Sequence, residues 1–342
     1  MKKAPIYLII FLTITLSCRK EIDNENTDIE IKGYDLLNDL KGHWVGTNKT
    51  AFGNFDWFTF DFRPISASHL HSIYEGATNQ NIITSIFIAD YNGEMQIMAR
   101  NGGWLGDQYR ATYFVLDKAT TNENSKYYRL VDAIGGQKRS YMEFRFENGK
   151  MEFDAYKDNS GSLDEPIHHM GFTGTNYNPS FAITASNFFN FPQKISEINL
   201  EKKFLNLIDS NSALFLKEDK DPFPKSQHTY LSDLKINIIK ENVGTNDDLL
   251  LYISLEPIVD INGIVDFENL DTKVVRTINV QFNEASYTTT YLHPDLYYIT
   301  IFSDKDNNLF PSKGDLSCFT KAINVKPELL VETTVNVNIV IQ

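Results

Sequence analysis

Apolar and polar residues alternate along most of this chain of 342 residues. In residues 55–62, three phenylalanines share one parity and Trp57 lies on the other, which is the period of two that predicts a half-buried β-strand. The same alternation recurs at residues 82–90, 94–100, 109–117, 126–134, 140–147 and 150–157.

Turn signals divide these runs into separate strands. Asn92-Gly93 and Asn148-Gly149 lie between neighbouring runs, and Asn-Gly is the strongest short-range signal for a β-hairpin. Residues 41–175 are therefore predicted to form eight to ten short antiparallel strands. Helices and strands do not alternate, which excludes the nucleotide-binding α/β folds.

A second alternating region begins near Thr229, after residues 176–227, which break the pattern and are predicted to be a connector. The alternating runs are residues 231–241, 248–259, 274–282, 287–292, 296–304 and 332–342. Six or seven strands in a segment of about 110 residues are typical of an immunoglobulin-like or transthyretin-like β-sandwich, predicted here for residues 228–342.

The start of the first region has its own motif. Residues 34–40 suit a short helix, and Gly42-His43-Trp44 begins the first strand. This order resembles the lipocalin and calycin pattern, in which a short helix leads into Gly-x-Trp and the tryptophan closes one end of a barrel. The resemblance implies an all-β protein with an antiparallel calycin-like barrel of eight to ten strands over residues 34–175, followed by the sandwich. An open sandwich is the alternative for the first region.

The N-terminus predicts the compartment. Two lysines precede an apolar run over residues 5–16, which is too short to cross a bilayer but suits a cleaved signal peptide over residues 1–17. Ser17-Cys18 resembles the lipobox of bacterial lipoproteins, with the looser spacing of the Bacteroidota phylum. The resemblance implies that Cys18 is acylated, for example with palmitate, and attaches the protein to the outer membrane. An ordinary signal peptide with an incidental cysteine is the alternative.

Residues 18–33 are polar and are predicted to be a flexible tether. The tether begins Cys18-Arg19-Lys20-Glu21, which resembles the export signal of surface-displayed lipoproteins. That resemblance favours the cell surface over the periplasmic face.

Composition and the absence of certain motifs exclude several classes of function. The chain is 42% hydrophobic and has a formal net charge of −13, so we predict no nucleic-acid partner. Two cysteines exclude a disulfide scaffold and a multi-cysteine zinc site. The sequence contains no Gly-x-Ser-x-Gly, no His-Glu-x-x-His and no phosphate-binding glycine loop. We therefore predict a non-enzyme, with a glycan-processing enzyme as an alternative.

One loop has the residue types of a cation site. Asp304, Asp306 and Asn308 are spaced as in an oxygen-rich loop, and Asp315 follows at the twelfth position. Calcium takes six to eight oxygen ligands, and this spacing lets a curled loop supply several of them. The segment resembles a hairpin of bacterial transthyretin-like domains. Turn formation by Asp and Asn without any metal is the alternative.

Four aromatic residues are candidate ligand contacts: Trp44, Trp57, Trp104 and Tyr109. Trp104 lies in Asn101–Gly106, which is predicted to be a glycine-rich loop at the barrel mouth, where the indole would close over a ligand. An indole that folds back as a core plug is the alternative. The predicted function is a membrane-anchored lipoprotein whose barrel binds a small apolar or glycan ligand, while the sandwich serves as a spacer or binds a protein partner. The alternative is a structural or adhesion lipoprotein whose barrel is filled by its own side chains, namely Phe58, Phe60, Phe62, Phe87, Phe144 and Phe146.

Overall fold

The computed structural model describes residues 31–50, 53–66, 69–76, 80–105, 108–157, 166–177 and 231–342, the last range with gaps at 242, 245–246, 282, 309 and 327–329. The predicted signal peptide and most of the predicted tether and connector lie outside these residues. The described ranges form a barrel followed by two further sheets, which confirms the predicted all-β fold class. Neither of the two α-helices in these ranges has the length and apolar character needed to span a membrane.

The barrel is a closed ring of ten antiparallel strands. Each strand pairs with the next one in sequence, and the last pairs with the first, so the ring closes on itself. The strands are β1 (Gly42–Thr50), β2 (Gly53–Ser66), β3 (His69–Gly76), β4 (Gln80–Tyr91), β5 (Glu94–Leu105), β6 (Gln108–Leu116), β7 (Tyr127–Asp132), β8 (Gly136–Glu147), β9 (Lys150–Lys157) and β10 (Ile167–Asn176).

Two of the hairpin turns are those that the sequence predicts. Asn92 and Gly93 both have positive φ, at 55° and 82°, and join β4 to β5. Asn148 and Gly149, at 52° and 75°, join β8 to β9 in the same way. Positive φ at both central residues gives the turn a twist that matches the twist of the strands, which is why Asn-Gly is favoured there.

Helix α1 (Asp35–Leu40) closes the end of the barrel at which β1 begins. Leu36, Leu37 and Leu40 are fully buried in the barrel core. The indole N–H of Trp44 donates to the carbonyl of Leu40 at 2.7 Å, and its ring lies 5.8 Å from that of Phe146. Trp44 therefore occupies the closed end, as the resemblance to the Gly-x-Trp pattern implies.

The second unit is a β-sandwich of two sheets. One sheet has the order β14-β11-β18, and the other has the order β13-β12-β15-β16-β19, with β17 paired to β15. The elements are β11 (Ser232–Lys240), β12 (Asp248–Ser254), helix α2 (Phe267–Lys273), β13 (Val274–Val280), β14 (Ser286–Leu292), β15 (Asp295–Asp304), β16 (Leu316–Ser317), β17 (Lys321–Val325), β18 (Leu330–Val337) and β19 (Ile339–Val340). Both sheets contribute to one apolar core, which includes Leu234, Ile236, Leu251 and Ile299.

The sandwich has nine strands in the described residues, more than the six or seven predicted. The run at residues 332–342 is divided into β18 and β19, and β16 and β17 fall in a segment without clear alternation. Helix α2 was not predicted. Its N-terminus is capped by Asp266, whose side chain accepts from the backbone N–H of Asn269 at 3.0 Å.

Candidate functional site

Phenylalanine side chains fill the closed half of the barrel. The ring of Phe60 lies 5.0 Å from Phe172, 5.6 Å from Phe62 and 5.9 Å from Phe153, and Phe153 lies 4.9 Å from Phe144. Of the six phenylalanines predicted to face inward, Phe58, Phe60, Phe62, Phe144 and Phe146 belong to this core or pack against it. The closed half therefore has the packed interior that a self-filled barrel would have.

Phe87 is the exception, and its predicted inward position is wrong. It packs in a separate buried cluster with Met98 and Tyr113, whose ring is 6.3 Å away. Its neighbours Ile86 and Ile88 take the inward positions of β4 instead. Because β4 is apolar at both parities, alternation alone does not identify which face is the core face.

Four inward side chains of the barrel are only partly buried. Phe58, Phe60, Ala155 and Met170 pack against the barrel core but keep part of their surface exposed. Because strand alternation places these four side chains on the inner face of the barrel, we infer that their exposed surface faces the lumen. We call these four residues the lumen floor, since each packs against the barrel core and keeps part of its surface exposed.

Some inward positions of β1, β4, β5 and β6 carry small or short polar residues. By strand alternation the inward positions include Asn48, Thr84, Ala99, Asn101 and Thr112. These side chains are uncharged and much smaller than the phenylalanines of the closed half. The Oδ1 atom of Asn48 is buried and has no hydrogen-bond partner among the described residues. A buried acceptor of this kind is costly unless a donor reaches it.

The strand register changes the interpretation of the predicted ligand contacts. The prediction that Asn101–Gly106 is a loop is wrong, because β5 continues to Leu105 and Trp104 pairs with Tyr109 of β6. Glycines 102 and 103 are held by hydrogen-bonded neighbours on both sides, in β4 and β6. Trp104 shares the parity of Met98, outside the inward row. The side chains of Trp57, Trp104 and Tyr109 lie outside the described part of the chain, so their roles stay predictions.

Trp44 is described in full, and it is 4% exposed. It lies at the closed end, between α1 and Phe146, and not at the lumen floor. The structure therefore assigns Trp44 to the barrel plug, and its predicted contact with a ligand is not supported by this position.

The predicted cation loop brings its carboxylates together. Oxygen atoms of Asp304, Asp306 and Asp315 lie within 4.8 Å of one another. Asp315 also accepts backbone N–H groups, from Lys305 at 3.1 Å and from Ser312 at 2.7 Å. Burial raises the pKa of Asp315, and the nearby carboxylates of Asp306 and Asp304 raise it further.

The amide of Asn308 completes this loop. It donates to Asp306 Oδ2 at 3.0 Å and to Ser312 Oγ at 2.6 Å, while the backbone N–H of Asn308 donates to Asp304 Oδ1. These bonds are the turn chemistry of the metal-free alternative. The carboxylate cluster suits a hard cation, and calcium binding stays a prediction.

We expect calcium to raise the melting temperature of the protein, because a cation held by three carboxylates relieves their mutual repulsion. Calcium at 100 times its dissociation constant would add about 2.7 kcal/mol to the free energy of unfolding. Calorimetry with calcium and then with a chelator measures this shift. Asp315→Asn should remove it, whereas Asp271→Asn, outside the cluster, should keep it. A melting temperature that calcium leaves unchanged would assign the loop to turn formation alone.

A buried charge cluster lies where the sandwich meets the barrel, with β13 packed against β2 and β3. Arg63 of β2 is fully buried, and its guanidinium donates to Asp61 Oδ1 at 2.9 Å and to Asp295 Oδ2 of β15 at 2.7 Å. The guanidinium also lies 5.6 Å from the ring centre of Tyr297, whose hydroxyl donates to the carbonyl of His293. One cation therefore joins both units of the chain.

His43 is buried on the barrel side of this contact, opposite Asp61 in the β1–β2 register. Burial lowers its pKa to about 3, and the positive charge of Arg63 contributes in the same direction. A cavity with room for about one water molecule lies beside the cluster and is lined by residues that include Arg276 and Tyr297. Sequence reasoning missed this cluster, since no local motif connects positions as distant as Arg63 and Asp295.

Comparisons with known proteins identify no relative: no family model, no curated protein and no solved structure matches this chain.

Proposed function

We propose that this chain is a lipid-anchored protein of the outer membrane whose barrel binds a small, mainly apolar ligand in its interior. The observation that carries the proposal is the lumen floor, where Phe58, Phe60, Ala155 and Met170 keep exposed surface inside a closed ring of strands. Apolar surface inside a concave, preformed space is the usual character of a small-molecule site.

The arrangement would bind one end of a ligand by burial and orient it by few polar contacts. The phenylalanines of the floor supply apolar contact at about 25 cal/mol per Å² of buried area. Asn48, which pairs with Phe172 of β10, supplies a buried acceptor that has no partner among the described residues.

The test is the binding of the apolar fluorophore N-phenyl-1-naphthylamine. Ala155→Trp places an indole on the lumen floor and should weaken binding at least about tenfold, which corresponds to about 1.4 kcal/mol. Thr175→Trp is the matched control, since Thr175 is exposed at an outward position of β10 and should leave the affinity unchanged. Circular dichroism and melting temperature establish that both variants fold.

Each outcome separates the alternatives. Loss of binding in Ala155→Trp alone supports the lumen site, and equal binding in both variants contradicts it. No binding by the wild-type chain would favour the self-filled barrel of a structural or adhesion protein, for which the packed phenylalanines of the closed half are the supporting observation. If soluble oligosaccharides displaced the fluorophore and apolar compounds did not, the ligand of the lumen would be a glycan. A glycan-processing activity stays a prediction and would appear as turnover of those oligosaccharides.

The proposed anchor has its own test, because Cys18 lies outside the described residues. Labelling of cells with a palmitate analogue should modify the wild-type protein, and Cys18→Ser should abolish the label and release the protein from the membrane fraction. Accessibility of the protein to protease added to intact cells tests the proposed exposure at the cell surface. Labelling that persists in Cys18→Ser would contradict acylation at this residue.

A further inference from the structure

Five large apolar side chains are exposed at one end of the sandwich. They are Ile261 at 81% exposure, Ile264 at 55%, Phe267 at 50%, Phe310 at 44% and Val340 at 49%. We call this set the apolar tip. Single exposed apolar residues are common on proteins, but a contiguous group marks an interaction site more often than not.

Hydrogen bonds hold the three segments of the apolar tip side by side. The backbone N–H of Gln342 donates to the carbonyl of Gly263 at 3.2 Å, and Gly314 donates to Ile341 at 3.1 Å. The C-terminal residues therefore lie between the turn that carries Ile261 and the loop that carries Phe310. The ring of Phe310 stacks on that of Phe267 at 5.7 Å, with an angle of 11° between the planes.

The apolar tip is also fixed in shape. The Oδ1 atom of Asp260 accepts the backbone N–H groups of Asn262 at 2.8 Å and Ile264 at 2.9 Å, which fastens the turn. Asp266 caps the first turn of α2, next to Phe267. A surface held in one conformation loses little entropy when a partner binds.

The excess of acidic residues around the apolar tip indicates the charge of the partner that can bind there. Residues 260–271 and 304–315 together expose five acidic residues and two basic residues, Lys305 and Lys313, while Asp304 and Asp315 are buried. An anionic lipid surface or an acidic glycan would be repelled here, and so would a second copy of this acidic tip.

We propose that the apolar tip is a docking site for a protein segment in which apolar anchors are flanked by Lys or Arg residues. The anchors would cover Phe267, Phe310 and Ile261, and the basic residues would face the acidic loops. This inference is independent of the proposed ligand site, which lies in the other unit of the chain.

A labelled amphipathic peptide of leucine and lysine is the probe, titrated against the full chain by fluorescence anisotropy. We expect saturable binding that weakens as salt is raised, because the flanking charges are exposed. The double variant Ile261→Ser/Phe267→Ser should lower the affinity at least about tenfold, since a few apolar anchors carry most of the binding energy of an interface. Leu296→Ser is the matched control, because Leu296 is 46% exposed on the same sandwich, and it should bind within about twofold of wild type.

Several results would overturn the proposal. Equal losses in the tip variant and in Leu296→Ser would show that the peptide binds the acidic chain without using the tip. If a peptide of leucine and glutamate bound as tightly as the leucine–lysine peptide, basic residues in the partner would have no role in binding. A wild-type dimer that Ile261→Ser/Phe267→Ser dissociates would replace the peptide partner with a second copy, and adsorption to vesicles of anionic lipid through the tip would replace it with a membrane.

Discussion

Arg63→Ala is expected to lower the free energy of unfolding by about 3–5 kcal/mol, the range for removing one partner of a buried ion pair. The loss is large because Asp61 and Asp295 would keep their negative charges at the contact between the two units, with the cation gone. Urea denaturation, followed separately by far-ultraviolet circular dichroism and by tryptophan fluorescence, measures the change. The transition should also become less cooperative, since the same guanidinium joins barrel and sandwich.

Two comparisons make this prediction specific. Arg145→Ala removes a half-exposed arginine from β8, whose ion pair with Glu143 lies at the barrel surface, and should cost at most about 1 kcal/mol. The triple variant Arg63→Met/Asp61→Asn/Asp295→Asn removes the charges together and should regain much of the lost stability. A loss in Arg63→Ala no greater than that in Arg145→Ala would mean that the buried cluster does not hold the two units together.

Acidification is expected to weaken the protein through His43. This side chain is neutral and buried in the folded state, with its pKa lowered to about 3, whereas an unfolded histidine has a pKa near 6.5. Its contribution is therefore fully present above pH 6.5 and decreases as the pH falls, because the unfolded chain takes up a proton that the folded chain excludes. The loss is about 1.4 kcal/mol per pH unit, or about 2 kcal/mol between pH 6.5 and 5.

The measurement is the free energy of unfolding against pH for the wild type and for His43→Phe. The difference between the two curves isolates His43 from Asp61, whose pKa is raised by burial and whose contribution has the opposite sign. Arg63, Asp295, Arg276 and Lys273 face the same contact and are unchanged in both proteins. Parallel curves for wild type and His43→Phe would contradict the assignment.

Much of the barrel could be predicted from local pattern. Alternation in the segment that begins with Phe55 requires only that one face of each strand is buried, and the two Asn-Gly turns require only their own backbone twist. The position of Trp44 at the closed end was implied by the resemblance to the lipocalin and calycin pattern, in which the helix and the Gly-x-Trp motif are adjacent in sequence. In each case the relevant physics involves residues close together in the chain.

The functional geometry depends on register and on distant contacts, which local pattern does not contain. Trp104 was assigned to a loop because of its glycine neighbours, but pairing with two strands holds that segment in β5. The partners Arg63 and Asp295 lie in different units, and neither residue is distinctive in sequence. The lumen floor could be found only once the alternating faces of β2, β9 and β10 were known to converge.

The pairing of β1 with β10, which closes the barrel, has a consequence for the biogenesis of the protein. It pairs Trp44 with Asn176, about 130 residues apart, so a chain that emerges from its N-terminus first can form successive hairpins but cannot complete the ring until β10 has appeared. A chain interrupted before Ile167 would present two unpaired strand edges, β1 and β9, to its surroundings. Quality control of this protein should therefore distinguish complete from incomplete chains by their open edges.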